Sequence, residues 1–207
     1  MTAPVITFEP ETHTYTVNGR PAVSVTTALS VLEDWSRVDP DLLARAGAFG
    51  TAVHTMTELY DLDDLDEDTL DPALAPYLDG YQKFLAAMQP QWEVIEQPVA
   101  SAALRCAGMP DRIGMIGRAR WLIDIKSTAG VPITVGPQTA AYAEFAKETL
   151  GLRVAKRGCL ILTPGGFNLV PLNATTDYSL FVSALNITRF LQKHHPRKLM
   201  ERTNGTT

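Results

Sequence analysis

The chain has 207 residues, 45% hydrophobic and 20% charged, which are values of a folded globular protein and exclude a low-complexity or disordered polypeptide. Its formal net charge of −5 excludes nucleic-acid binding through overall basicity and leaves that role to local patches. No apolar run approaches the roughly 20 residues needed to cross a bilayer, and no opening basic-then-apolar signal is present, so a cytoplasmic protein with no membrane partner is expected.

Length alone suits one folded domain, expected over 1–193 and followed by a basic flexible tail over 194–207. That tail, with His194 and His195, is read as solvated rather than metal-binding, and as a cheap contact for a phosphate backbone. Two cysteines, Cys106 and Cys159, read as buried thiols of a reducing compartment. They are too few to build a four-cysteine iron–sulfur cluster.

Residues 5–25 read as a β-hairpin, with Asn18-Gly19 between alternating segments as its turn. His13 is expected as an exposed strand residue, and Thr26 or Thr27 as the cap of a short helix reaching about Leu32. A helix from Pro40 to about Tyr60 follows, capped by Asp39 with Pro40 at its first position. On it, Gly50 and His54 lie four apart and therefore on one face. Glu58, one turn further, either assists at that face or is a solvated carboxylate. Between Asp61 and Asp71 stand seven acids and no base, which read as a solvated connector. Relieved of those seven negative charges, the rest of a −5 chain is net +2.

A second helix is expected over about 72–88, from apolar spacing through Leu74, Tyr77, Leu78, Tyr81, Phe84 and Leu85. Strands are expected at about 92–99 and 102–107. Two further strands then meet at a tight turn around Gly117-Arg118. In the second of these, Trp121, Ile123 and Ile125 fall on one face, and Leu122, Asp124 and Lys126 on the other. A carboxylate and an ammonium two residues apart in an apolar strand are costly to bury without partners. A metal ion, a second carboxylate and a charged substrate would supply them, and Asp111, on the preceding strand, is the second carboxylate. Beyond this strand, Ser127 and Thr128 carry hydroxyls suited to a phosphate. Pro137 is expected to open a helix that presents Gln138 and Tyr142 on one face and stops at Gly151. Strands at about 155–163 and 167–172 meet at Pro164-Gly165-Gly166, and a last helix spans about 177–193.

Pro110-Asp111, twelve intervening residues and Asp124-Ile125-Lys126 resemble the signature of the PD-(D/E)XK nuclease superfamily. Gly50-x-x-x-His54 and Gln138-x-x-x-Tyr142 resemble elements of its RecB-like exonuclease branch, and all four elements occur in the branch's order. The run His13, Tyr15, Gly19, Val23-Ser24-Val25-Thr26 resembles the lead-in of phage and mitochondrial members. Asp rather than Glu at position 124 fits the motif as written.

The resemblance implies an α/β fold of restriction-endonuclease-like type, a mixed central sheet flanked by helices, with the N-terminal β-hairpin attached. It implies metal-dependent DNA cleavage, with Asp111 and Asp124 as ligands of Mg²⁺ or Mn²⁺ and His54 completing or tuning the shell. Lys126 would position the attacking water, and Gln138 and Tyr142 would serve catalysis and steady the substrate. A glutamate on the strand before Asp111 often lies near the metal in relatives. Glu96 is favoured here, with Glu93 in competition and the register open. Arg112, Ser127 and Thr128 are candidate substrate contacts, with Arg118, Arg120, Arg153, Lys156 and Arg157 as further basic candidates. The expected function is a DNA exonuclease of phage-type recombination or replication, acting on single- or double-stranded DNA, with a recombination or replication protein as a possible partner. In a virus-encoded case its compartment would be the host cytoplasm. Two alternatives stay open: a structure- or site-specific endonuclease on the same fold, and a non-catalytic DNA- or partner-binding protein.

Overall fold

The computed structural model describes residues 2–194. It is a mixed α/β structure with two five-stranded sheets, where the sequence points to one central sheet. The first sheet contains β1 (Ile6–Glu9), β2 (Thr14–Val17), β3 (Arg20–Ser24), β5 (Val99–Ser101) and β6 (Cys106–Gly108), in the order β1-β2-β3-β6-β5. The second contains β4 (Gln91–Ile95), β7 (Arg112–Ile116), β8 (Ala119–Lys126), β9 (Lys156–Thr163) and β10 (Gly166–Pro171), in the order β10-β9-β8-β7-β4. Each sheet has one parallel pair, β3 with β6 and β8 with β9. The N-terminal hairpin is therefore not an appendage but one side of a sheet that β5 and β6 complete.

Five helices surround the sheets: α1 (Val25–Leu29), α2 (Pro40–Asp61), α3 (Ala75–Met88), α4 (Val135–Leu150) and α5 (Asp177–His194). Strand parity in β8 decides which helices cover which face. Trp121, Ile123 and Ile125 pack with Val53 and Met56 of α2 and Leu78, Tyr81 and Phe84 of α3. Leu122 packs on the other face with Tyr142 and Phe145 of α4 and Phe181 of α5. Full burial of such side chains stabilises by about 1.5–3 kcal/mol each. Asp124 and Lys126 follow Leu122 along β8, toward α4.

Local chemistry explains most boundaries. Asp39 accepts from the Asp41 and Leu42 N–H groups, with Pro40 opening α2. Asn18 and Gly19 hold the left-handed φ values of their hairpin turn, and Gly151 at φ +70° ends α4. Three expectations are corrected. Ser24, not Thr26 or Thr27, caps α1, its Oγ accepting from Thr27 N–H at 3.0 Å, and His13 sits in a turn at φ +48°. The helix carrying Gln138 opens two residues earlier than Pro137, at Val135, because a proline lacking an N–H is tolerated throughout the first turn. The tail expected after 193 lies outside the described residues, except for His194 at the end of α5. Among the described residues no helix is long and apolar enough to cross a membrane.

The predicted strand over 92–99 is two strands in two sheets. Glu96 stands between them at φ +44°, a left-handed conformation that a non-glycine residue seldom adopts. Pairing stays in one register across the break: Ile95 faces Arg112 in the second sheet, and Val99 faces Gly108 in the first. The two sheets are thus joined by one long antiparallel hairpin that bends between them. Glu96 lies at the bend of one arm and Asp111 at the bend of the other, with Glu96 N–H donating to Asp111 C=O at 3.1 Å.

Candidate metal centre and its supporting shell

The bend of this hairpin meets α2 at His54. His54 Nδ1 lies 3.5 Å from Asp111 Oδ2 and 4.0 Å from Glu96 Oε1. One ligand atom from each of the three residues falls within 4.8 Å of the others. The register question between the two glutamates has a structural answer. A bulge between Trp92 and Val94 takes Glu93 out of regular pairing, and Glu93 binds Arg120 at 2.6 and 2.9 Å. That pair accounts for a Glu93 pKa below the usual carboxylate range, the Arg120 hydrogen bond being the main cause. Glu96 faces the cluster. Glu58 is partly exposed and is not part of it.

Asp124 and Lys126 stand beside the cluster. Asp124 is 1% exposed; its Oδ1 accepts from Gln138 Nε2 at 3.0 Å. Its Oδ2 lies 2.8 Å from Lys126 Nζ yet has no hydrogen bond of normal geometry. Asp111 is held by the Ile125 N–H, which donates to Oδ2 at 2.6 Å. Gln138 also approaches Tyr142 Oη at 3.5 Å. Tyr142 in turn packs against Gly108, where a Cβ would collide with its Cε1. That glycine is needed for close approach, a requirement no local sequence signal reveals.

Electrostatics follow from this crowding. Burial raises the Asp124 pKa; Lys126 pulls it down and Asp111 pushes it up, and the net direction is upward. For Lys126, burial works against the ammonium, but Asp124 and Asp111 outweigh it and raise the pKa. The two carboxylates thus favour the charged form of Lys126. Burial also opposes the His54 imidazolium, and Asp111, Glu96 and Asp124 overcome it, so its pKa lies above the ordinary value. Tyr142 stays a neutral phenol, mainly through burial. Cys159, opposite Asp124 on β9, is pushed up to about 12 by burial and is no nucleophile.

An imidazole and two carboxylates at this spacing form a candidate metal centre. The donor set is oxygen-rich, as Mg²⁺ or Mn²⁺ requires. The second oxygen of buried Asp124 faces a cation already, the Lys126 ammonium at 2.8 Å. Asp124 is not itself within the three-residue cluster, since its second oxygen is turned to Lys126. Its place is beside the ligand set.

A supporting layer lies beneath, and here the sequence reading needs correction. Arg112, expected as a substrate contact, is 0% exposed. Its Nε donates to Asp61 at 2.6 Å, one terminal nitrogen donates to Asp111 C=O at 2.6 Å and to Glu96 at 3.4 Å, and the other reaches Thr57 at 3.5 Å. Asp61 also accepts from Tyr81 Oη at 2.5 Å. So Asp61 is no solvated acid, and Arg112 holds the Glu96 carboxylate and the Asp111 backbone carbonyl from below. The missed signal was helical period: His54, Thr57 and Asp61 recur at i, i+3 and i+7 on one face of α2.

Other basic candidates are likewise engaged. Arg157 binds Asp177 at 2.9 Å and Gly136 C=O at 2.7 Å, and Lys156 sits over the Trp121 ring. The Thr128 hydroxyl donates to Gly130 C=O at 2.7 Å, while Ser127 is partly exposed at the end of β8.

No protein-family model matches the chain, and no curated protein does. Solved structures do. The crystal structure of SSO0001 is 18% identical, with 83% of this chain and 76% of that chain covered and a TM-score of 0.38. The crystal structure of LHK-Exo in complex with dAMP is 13% identical, with 83% and 92% covered and a TM-score of 0.36.

Proposed function

We propose that this chain is a metal-dependent nuclease that hydrolyses phosphodiester bonds of DNA, working from strand ends. One observation carries the reading. The buried Asp124–Lys126 ion pair, at 2.8 Å, stands beside the His54, Glu96 and Asp111 cluster. The residues that carry the PD-(D/E)XK resemblance come from α2, β8, α4 and the hairpin bend, and they converge on one place. Such convergence is expensive for a purely structural site, because each buried charge needs its own partners.

His54, Glu96 and Asp111 would hold a Mg²⁺ or Mn²⁺ ion, with Asp124 adjoining. Such an ion polarises a phosphate and makes water a better nucleophile near neutral pH. The chain's own groups supply the rest. Lys126 would position an attacking water and offer its ammonium to the charge that develops on the phosphate. Gln138 fixes the Asp124 carboxylate by donating to Oδ1, and Tyr142 Oη accepts from the same amide nitrogen behind it. Ser127, at the open end of β8, is the hydroxyl placed for a substrate phosphate. Ends rather than internal sites are proposed because His54 and Gln138, the elements resembling the exonuclease branch, both reach this centre.

The test is cleavage of end-labelled linear DNA beside covalently closed circles, in Mg²⁺, Mn²⁺ or EDTA. Metal-dependent shortening from the ends is expected, with circles left intact. Nicked circles would replace the exonuclease reading with an endonuclease. Absence of cleavage under every metal would overturn the enzymatic reading.

A further inference from the structure

Among the exposed large apolar side chains, Trp35 stands at a carboxylate that also holds Thr134. The Trp35 indole N–H donates to Glu33 Oε2 at 3.3 Å, and the Thr134 hydroxyl donates to Glu33 Oε1 at 3.0 Å. Trp35 is 44% exposed, and Ile133, beside Thr134, is 71% exposed. Thr134 precedes α4 and accepts from Gln138 N–H. One helical turn, about 5.4 Å, therefore separates the Glu33 anchor from the residue that holds Asp124.

We propose that Trp35 is a stacking platform for an unpaired nucleobase of the strand whose phosphate lies at the candidate metal centre. The inference rests on the nuclease reading and names the substrate class: a single-stranded or frayed DNA end. Single exposed hydrophobics are ordinary on protein surfaces. This one is set apart by how firmly it is held. The Val38 N–H donates to Trp35 C=O at 2.9 Å, and the Ser36 N–H donates to Asp34 at 3.1 Å. With its indole N–H engaged as well, Trp35 sits in a fixed turn and offers only its ring faces. A preorganised ring loses little entropy when a base stacks on it.

Charge decides which part of a nucleotide the ring meets. Glu33 and Asp34 repel a phosphate at this point, while a neutral base is unaffected. Arg37, two residues on, is exposed and has no ion-pair or hydrogen-bond partner among the described residues. It is the group available for the adjoining phosphate. Trp35 keeps 44% of its surface exposed, and the opening turns of α2 beyond this loop are largely exposed as well. Aromatic stacking with a neighbouring cation is the usual way a protein holds single-stranded nucleic acid without reading its sequence.

The experiment titrates the full chain, in EDTA to prevent cleavage, with a thymidine oligomer and with a blunt duplex, reading tryptophan emission and affinity. Trp121 is 8% exposed and Trp92 is partly buried, so Trp35→Ala identifies the responding ring. Expected are quenching by the single strand, little by the duplex, and a loss of single-strand affinity of about 5- to 100-fold in Trp35→Ala. Trp35→Phe should recover most of that loss, because the ring face and not the N–H makes the contact. Unchanged affinity in Trp35→Ala, or equal quenching by the blunt duplex, would overturn the proposal. Quenching by the single strand in a protein that cleaves nothing in Mg²⁺ or Mn²⁺ would refute the nuclease reading and leave the stacking site standing. Cleavage with unaltered kinetics and binding in Trp35→Ala would do the reverse.

Discussion

Glu96 and Asp111 face each other where one antiparallel hairpin bends from the first sheet into the second, joined by a backbone hydrogen bond of 3.1 Å. The bend does two things at once. It ends pairing in one sheet and begins it in the next, and it turns two carboxylates toward His54. The left-handed φ of Glu96 costs about 1–3 kcal/mol in a non-glycine residue, a strain that the surrounding Arg112 hydrogen bonds offset.

Asparagine tolerates that backbone conformation but lacks the carboxylate. Glu96→Asn should therefore keep its melting temperature within a few degrees while losing about 10-fold or more in Mn²⁺ affinity. Calorimetric titration beside thermal unfolding checks both halves. Wild-type Mn²⁺ affinity in the variant would remove Glu96 from the ligand set.

Arg112 is a structural cation, and its loss should appear in stability and not first in DNA affinity. Arg112→Ala leaves Asp61 buried without its partner and should cost about 3–5 kcal/mol, read by urea unfolding. Pairing Arg112→Met with Asp61→Leu should recover a large part of that loss. A folded Arg112→Ala protein of normal stability but weakened DNA binding would return Arg112 to the substrate.

In the metal-free protein His54 has a raised pKa: burial opposes the imidazolium, and Asp111 and Glu96 overcome it. The folded state then retains a proton that the unfolded chain gives up near the ordinary value of 6.5. That contribution to stability is fully present below the unfolded pKa and is lost as pH rises through the folded one. Melting in EDTA should thus fall as pH rises above the ordinary imidazole range. Stabilisation by Mn²⁺ should grow over the same interval, since the ion competes with the proton. His54→Gln should flatten both trends; a pH dependence unchanged in that variant would place its origin elsewhere.

Lys126→Ala should lower kcat about 10²- to 10³-fold with DNA affinity changed only a few-fold. Single-turnover cleavage beside a binding titration separates the two. Equal losses in both would make Lys126 a binding contact.

How much of this was legible in the sequence depends on the kind of signal. The period-two parity of β8 placed Trp121, Ile123 and Ile125 against one core and Leu122 against the other, as the packing shows. Asp39-Pro40, Asn18-Gly19 and Gly151 marked boundaries because each carries its own backbone preference. The hairpin bend was hidden because a glutamate, not a glycine, occupies the left-handed position. Asp61 was hidden in an acidic run whose other members look alike in sequence, although it shares a helix face with His54. Gly108 and Arg112 are set by tertiary approach alone: a tyrosine ring from α4 and a buried acid from α2. Composition and periodicity do not encode such contacts.

The most direct measurement of the central claim is cleavage of end-labelled linear DNA by the wild type and by Asp124→Ala in Mn²⁺, with EDTA as control. The account predicts metal-dependent hydrolysis by the wild type, and loss of it in Asp124→Ala even where that variant remains folded. Cleavage that survives both Asp124→Ala and EDTA would contradict it, because the chemistry would then lie outside the centre formed by His54, Glu96, Asp111, Asp124 and Lys126.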